Sequence, residues 1–418
     1  MDIEKALRIL ENLVDEAEIY YSRDENNEVV VKNGKIDTFK ENISRGFGIR
    51  VIKDKRVGFC YSTKLNEEVL HKAVKIAKLS ESDKFLSLPE KQKYISKSTF
   101  DERILDVSSE DIAKFVKELT SACWDYEVIP TFGIISFGSS RDLIYNTNGI
   151  EGEDKGTSIF CYLSTVAKHG GEVATGFDYE ISSRLDIDFF NIGEKAAKLA
   201  KESLNAEKIE VLTTNLILKP YAFAELIENT LIPSLSAENV QRGRSLLAGK
   251  IGEKLFSDIN ITDDGILENG VYTSKFDGEG VARQRTKLVE KGVLKNYLYN
   301  TYTANKDNKK STGNASRSYS SLPDIAPTNF KVSGKGKLSE EGLVVHGLIG
   351  AHTSNFVTGD FSVETRNAFL NGKPIKKAII SGNIYELLKK VVGFGKDYRQ
   401  VSNVIAPSIE FEEIRVAG

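Results

Sequence analysis

The sequence predicts an α+β fold in two domains, and three observations carry that prediction. Helix-patterned and strand-patterned stretches come in clusters instead of alternating as β-α-β units. Turn-forming dipeptides at Asn33-Gly34, Lys291-Gly292 and Asn371-Gly372 separate strand-like runs, which makes the neighbours antiparallel hairpins. The composition changes near Asn205 to Glu210, beyond which Gly, Asn and alternating β patterns increase. A chain of 418 residues is long enough for two or more domains. The expected division is 1–205, an antiparallel meander with helices, and 206–418, mainly antiparallel β with a few helices.

Each element follows from its local pattern. Ile3, Leu7, Leu10 and Val14 recur at helical spacing, so an amphipathic helix is expected within residues 2–16. "EVVVKNGKIDTFKE" and "GFGIRVIKDKRVGFCYS" read as strands, with tight turns at Asn33-Gly34 and between Lys53 and Arg56. Helices are expected at about 66–79 and 109–126. Strands resume at "TFGIISFG", "RDLIYNTNG", "GTSIFCYLSTVAK" and "GEVATGFDYE", and a further helix covers about 189–204. In the second half "VLTTNLILK" is a strand leading into a helix that Pro220 opens and Pro233 stops about three turns later. "VARQRTKLVEKGVLKNYLYN", "EGLVVHGLIG", "GDFSVETRNAFLNGKPIKKAIISG" and "SIEFEEIRV" supply strands, interrupted by a short helix near 384–392. The stretch 303–319, "TANKDNKKSTGNASRSY", is polar and aperiodic and is expected to be a long loop of functional or mobile character.

Bulk composition narrows the function. With 40% hydrophobic and 28% charged residues and a net charge of −3, the chain has the makeup of a soluble protein. Its Lys and Arg are interspersed with Asp and Glu, so no direct nucleic-acid binding is expected. No apolar run is long enough to cross a bilayer, and "MDIEKALRIL" lacks a signal-peptide core, so the expected location is cytoplasmic, with no membrane partner. Cys60, Cys123 and Cys161 sit in apolar contexts without C-x-x-C spacing and read as buried reduced thiols.

The chemistry-bearing residues are few. A zinc-peptidase helix carries two histidines on one face with a glutamate to activate water. There are four histidines. His71 lies in a charged helix, His169 precedes a Gly pair, and His346 and His352 are six residues apart across a Gly-broken strand. None of these spacings makes a zinc site. Glu225 and Glu228 can share a helix face, but two carboxylates alone hold a hard cation poorly, and a polar flank is the simpler account. Asp263-Asp264-Gly265 and Asp277-Gly278-Glu279-Gly280 read as turns without calcium-loop spacing. Asp277 and Glu279 could do acid–base work only inside a closed, dry site. No G-x-S-x-G elbow or phosphate loop is present. No catalytic, metal-binding or cofactor-binding residue is therefore assigned in this chain.

Taken together, "LSAENVQRGRSLLAGKIGEKLFSD" (235–258), "FDGEGVARQRTKLVEKGVLKNYLYNTYTANK" (276–306), "STGNASRS" (311–318) and "VTGDFSVE" (357–364) resemble the TldD/PmbA family, also called modulator of DNA gyrase. The order and spacing fit across nearly all of 209–418. The resemblance implies a metallopeptidase family with two branches. The TldD branch carries H-E-x-x-x-H on the helix that opens the C-terminal domain. The PmbA branch, or TldE, lacks that motif and pairs with a TldD subunit. Here the corresponding helix is "AFAELIENTLIP", without histidine, so the chain resembles the second branch. The implied role is a non-catalytic subunit of a cytosolic peptidase complex acting on unfolded peptides, with zinc in a TldD-like partner. An extended peptide would bind by adding a strand. Segments 276–281 and 313–317 match the family pattern, and within them Asp277, Glu279, Asn314 and Arg317 are the candidates for contacting it. Two alternatives stay open: a stand-alone peptide-binding or scaffolding homodimer, and a hydrolase using Asp263, Asp264, Asp277 or Glu279.

Overall fold

A computed structural model describes residues 1–418 apart from 96, 98 and 340. Six long strands form the first sheet: β1 (Glu16–Lys32), β2 (Lys35–Lys53), β3 (Arg56–Ser62), β4 (Ile129–Asn146), β5 (Glu151–His169) and β6 (Glu172–Ser182). Their order is β3-β2-β1-β4-β5-β6, and every pairing is antiparallel. The β1–β2 turn sits on Asn33 and Gly34, both at positive φ (49° and 77°), the backbone that Asn-Gly supplies in a two-residue hairpin.

Four helices cover one face: α1 (Ile3–Glu11), α2 (Glu67–Leu79), α3 (Ser109–Asp125) and α4 (Phe189–Glu202). Asp2 caps α1 by accepting from the Lys5 N–H, and Ser108 with Asp111 forms a reciprocal capping box on α3. The helices build two cores under the one sheet. Leu10, Ile19, Val51 and Leu70 belong to the first, with α1 and α2; Ile135, Leu163, Leu119 and Ile192 belong to the second, with α3 and α4.

The second half runs β7 (Leu212–Leu218), α5 (Pro220–Glu228), α6 (Leu231–Ser234), α7 (Ala237–Gln241), β8 (Ile259–Asp264), β9 (Arg285–Glu290), β10 (Val293–Leu294), α8 (Thr301–Lys306), β11 (Ala315–Ser316), β12 (Asp324–Ile325) and β13 (Phe330–Gly334). It continues with β14 (Leu343–Ile349), β15 (Asp360–Leu370), β16 (Lys373–Ile375), β17 (Ile379–Asn383), α9 (Ile384–Lys389), β18 (Val391–Phe394), β19 (Arg399–Val401), β20 (Val404–Ala406) and β21 (Ile409–Ala417). Strands β14, β7, β21, β17 and β15 pair in a ring that closes through β14–β15, a small barrel without free edges along that ring. A second sheet has the order β10-β9-β8-β13-β20-β19. The β14–β7 and β13–β20 pairs are parallel and the others antiparallel. One apolar core, including Leu218, Phe223, Phe330 and Phe411, fills the space among barrel, sheet and α5.

The α+β class is as the sequence predicts, and three local expectations change. "TFGIISFG" and "RDLIYNTNG" are one continuous strand, β4, because Gly138-Ser139-Ser140 stays in register with β1. Gly138 is needed there: a Cβ at that position would lie 1.9 Å from the Glu25 carbonyl oxygen. The expected three-turn helix is shorter, since α5 ends at Glu228. Asn229 Nδ2 donates to the Glu225 carbonyl (2.8 Å) and Thr230 Oγ1 to that of Leu226 (2.6 Å), so side chains replace the next turn's amides. The stretch 303–319 is not a free loop. It contains most of α8 and all of β11, and the Thr312 and Asn314 side chains are buried. All three cysteines are buried and unpaired. No helix among the described residues is long and apolar enough to cross a membrane.

Candidate functional site

The free face of the first sheet meets the second half of the chain, and the four residues expected to contact peptide lie at or beside that seam. Glu18 on β1 and Arg50 on β2 are direct cross-strand partners. Arg50 donates to Glu18 Oε2 (2.8 Å) and to Glu279 Oε1 (2.8 Å). Arg317 donates to Glu18 Oε1 (2.5 Å), and its guanidinium stacks on the Tyr20 ring at 4.8 Å and the Phe59 ring at 5.6 Å. Glu279 Oε2 accepts the Thr301 N–H at the start of α8 (2.7 Å). Two carboxylates and two guanidiniums thus form a charge-balanced buried network joining the two halves. Desolvation is the largest influence and disfavours an ionised Glu279, but Arg50 and the hydrogen bonds from Thr301 together outweigh it and hold the carboxyl below the usual range.

Asp277 lies two residues before Glu279 in the same turn. Its Oδ1 accepts the N–H groups of Glu279 (2.8 Å) and Val281 (3.0 Å), and its Oδ2 accepts that of Ala315 (2.9 Å). Burial, and then the charge of Glu279, push its carboxyl up despite those three donors. Asn314 donates to Asp263 Oδ2 (2.8 Å) and accepts from Thr312 Oγ1 (2.7 Å). Asp263 is further held by the Thr328 N–H (2.6 Å) and hydroxyl (2.8 Å). The fold therefore gathers Glu279 and Arg317 through Glu18 and Arg50, and Asp277 ties the same two segments together. Asn314 works one step along, on Asp263. Sequence reasoning missed Glu18 and Arg50. The available signal was one charged residue between apolar neighbours in each of two strands, "AEIYY" and "GIRVI".

The second place of chemical interest is α5. Its inner positions Ala222, Phe223, Ala224, Leu226 and Ile227 are buried. Glu225 Oε2 accepts the Leu348 N–H (2.8 Å), and burial pushes its carboxyl up to about 7. Glu228 is also raised by burial, and its Oε1 is buried without a hydrogen-bond partner. Beside α5 lies a cavity of about 330 Å³ lined by Tyr179, Lys219, Tyr221, His346, Asp397 and Arg399 among others. Burial drives His346 down to about 4, which keeps its imidazole neutral at pH 7.

The comparisons with known proteins identify this architecture. The models of one family match in three pieces: PmbA/TldA metallopeptidase domain 1 over residues 17–79, the central domain over 102–204, and the C-terminal domain over 212–418. The chain belongs to the PmbA/TldD metallopeptidase family. An uncharacterized protein of Methanocaldococcus jannaschii is 40% identical, with 99% of each chain covered. A metalloprotease PmbA homologue of Buchnera aphidicola is 24% identical over 100% of this chain and 96% of its own. The crystal structure of TldE from Thermococcus kodakarensis superposes with a TM-score of 0.92 over the whole of both chains, at 29% identity.

Membership of a metallopeptidase family raises the question of zinc, and α5 does not fit it. If the glutamate of H-E-x-x-x-H is set on Glu225, the flanking positions are Ala224 and Asn229; if on Glu228, they are Ile227 and Ile232. Ala224, Ile227 and Ile232 are buried and apolar, and Asn229 is spent on the helix backbone. Zinc sites take histidine or cysteine beside carboxylates. Among the described residues, no three His, Cys, Asp or Glu side chains converge as a metal site would require.

Proposed function

We propose that this chain is the non-catalytic, PmbA/TldE-like subunit of a cytosolic TldD-type metallopeptidase complex that degrades or processes unfolded peptides. The observation that carries the reading is the lack of histidine on α5 and the residues just after it: in either register of the TldD motif its histidine positions hold Ala224 and Asn229 or Ile227 and Ile232. Likeness to TldE along the whole chain supports it. The zinc and the water-activating glutamate then belong to a TldD-like paralogue. Asp277, Glu279, Asn314 and Arg317 serve peptide binding by holding segments 276–281 and 313–317, so that the backbone of those segments is fixed for an extended substrate. A homodimer of this chain, formed through equivalent surfaces, is the assembly expected where the paralogue is missing.

The test is co-purification with the TldD-like paralogue, followed by zinc analysis and peptide cleavage by each subunit and by the mixture. The reading requires a stable mixed complex, zinc following the paralogue, and cleavage by the mixture. Cleavage by this chain alone, abolished by Asp277→Asn, would assign the reaction to its own carboxylates and defeat the proposal.

A further inference from the structure

A groove of about 1200 Å³ runs along the outer side of the seam, between the segment 87–92 after α2 and the elements β9 and α8 of the second half. Its walls carry seven Lys and Arg residues and one carboxylate, Glu90, in a chain whose net charge is −3. Some of the cations are anchored. Arg283 donates to Ser274 Oγ (3.0 Å) and the Gly313 carbonyl (2.5 Å), and Arg285 to Asp264 (2.7 Å). Lys287 and Lys295 share Glu290. Lys91, Lys309 and Lys310 have no carboxylate within ion-pair distance among the described residues. Lys309 and Lys310 are the "KK" of the stretch that the sequence marks as a polar loop. Lys309 is held over the Tyr299 ring, 5.4 Å from its centroid.

The floor of the groove is a strand with an open edge. β9 pairs with β8 on one side, but on the other β10 reaches only Val289 and Glu290. The edge over Arg285, Thr286 and Lys287 has no strand partner. Arg285 and Lys287 are exposed while Thr286 is buried, so the two cations project from the same face of β9. Two residues of extended chain advance about 6.6–6.8 Å, which is also the spacing of alternate side chains on an added strand.

We propose that this groove binds an acidic stretch of extended polypeptide as an added strand on β9, with carboxylates at alternate positions meeting Arg285 and Lys287 and the far wall supplied by Lys91, Lys309 and Lys310. This deepens the subunit reading by naming a substrate class for the complex. The volume exceeds the roughly 300–1,000 Å³ of a small-molecule pocket. The strand edge calls for a backbone with free N–H and C=O groups. Single-stranded nucleic acid is bound by aromatic side chains on which bases stack, and no aromatic residue lines the groove.

The test is fluorescence anisotropy on the purified chain alone, with a labelled peptide of alternating Glu and Thr. Its comparators are the Gln-Thr and Lys-Thr peptides, an oligothymidylate of equal charge, and the Glu-Thr peptide N-methylated at alternate amides. The acidic peptide is expected to bind at least about tenfold tighter than every comparator, and less tightly at higher salt. The double reversal Lys309→Glu/Lys310→Glu is expected to weaken it about tenfold or more, with an unchanged thermal unfolding curve, and Lys91→Glu is the independent second variant. Equal binding of the Gln-Thr peptide, tighter binding of the oligothymidylate, or indifference to both variants would overturn the proposal. Full binding of the N-methylated peptide would overturn strand addition. No outcome depends on the paralogue or on cleavage, so failure here leaves the subunit reading standing, and failure of that reading leaves this result interpretable.

Discussion

Glu225 shows how a carboxyl behaves when the helix that carries it is packed into an apolar core. Its carboxyl accepts one backbone N–H and is otherwise desolvated, which raises it to about 7. An unfolded glutamate titrates near 4.3. Between those values the folded state holds a proton that the unfolded state has lost, so this group's contribution to stability falls as pH rises through the window. Glu225→Gln cannot ionise and can still accept the Leu348 N–H. It is expected to match the parent near pH 4 and to be more stable near pH 8, by up to about 3 kcal/mol. Urea unfolding at the two pH values measures this, and an offset of equal size at both would refute the burial argument. The residue scale was partly legible in the sequence. The lack of ligand histidines on α5 could be read directly, whereas the pairing of Glu18 with Arg50 could not, because register is set by tertiary pairing.

At the level of elements, close approach decides where helices lie on the first sheet. Gly176 on β6 faces α4, and a Cβ there would sit 2.2 Å from the Ala196 carbonyl oxygen and 2.3 Å from the Ala200 amide nitrogen. Backbone, not a flexible side chain, is in the way. Gly176→Ala should therefore force α4 off the sheet and cost about 1–3 kcal/mol, read as a lowered denaturation midpoint with an unchanged slope. A variant as stable as the parent would mean that α4 slides without loss. Helix and strand types followed the periodicity closely, as with α2, where Asn66 caps the expected helix. Ends were less legible. The stop of α5 depends on Asn229 and Thr230 bonding back to their own helix, a choice those residues make only in context.

In the whole molecule, the two halves are joined by buried charges. Glu18 accepts from Arg50 and Arg317 at once, so Glu18→Ala would leave two guanidiniums facing each other without their shared carboxylate. Removing one partner of a buried pair costs about 3–5 kcal/mol. The variant should lose stability on that scale, and hydrogen exchange should show residues beyond 210 opening independently of the first sheet, whereas the parent is expected to open both together. Joint opening in the variant would show that the apolar contact of Tyr20, Ile144 and Ile150 with Phe276 suffices to couple them.

The sequence by itself determined the α+β class, the antiparallel hairpins at Asn33-Gly34 and Asn371-Gly372, the family, and the absence of ligand histidines on the helix that opens the second half. Those properties reside in local periodicity, turn chemistry and residue identity, which need no long-range contact to be read. Only the tertiary structure decided the rest. Ring closure through β14–β15 turns separate strands into a barrel. Glu18 and Arg317, 299 positions apart, become an ion pair. Lys91 and Lys310 become two walls of one groove. Each of these depends on which surfaces pack together, and burial of apolar area, being non-directional, leaves no local mark in the sequence of the partner it will choose.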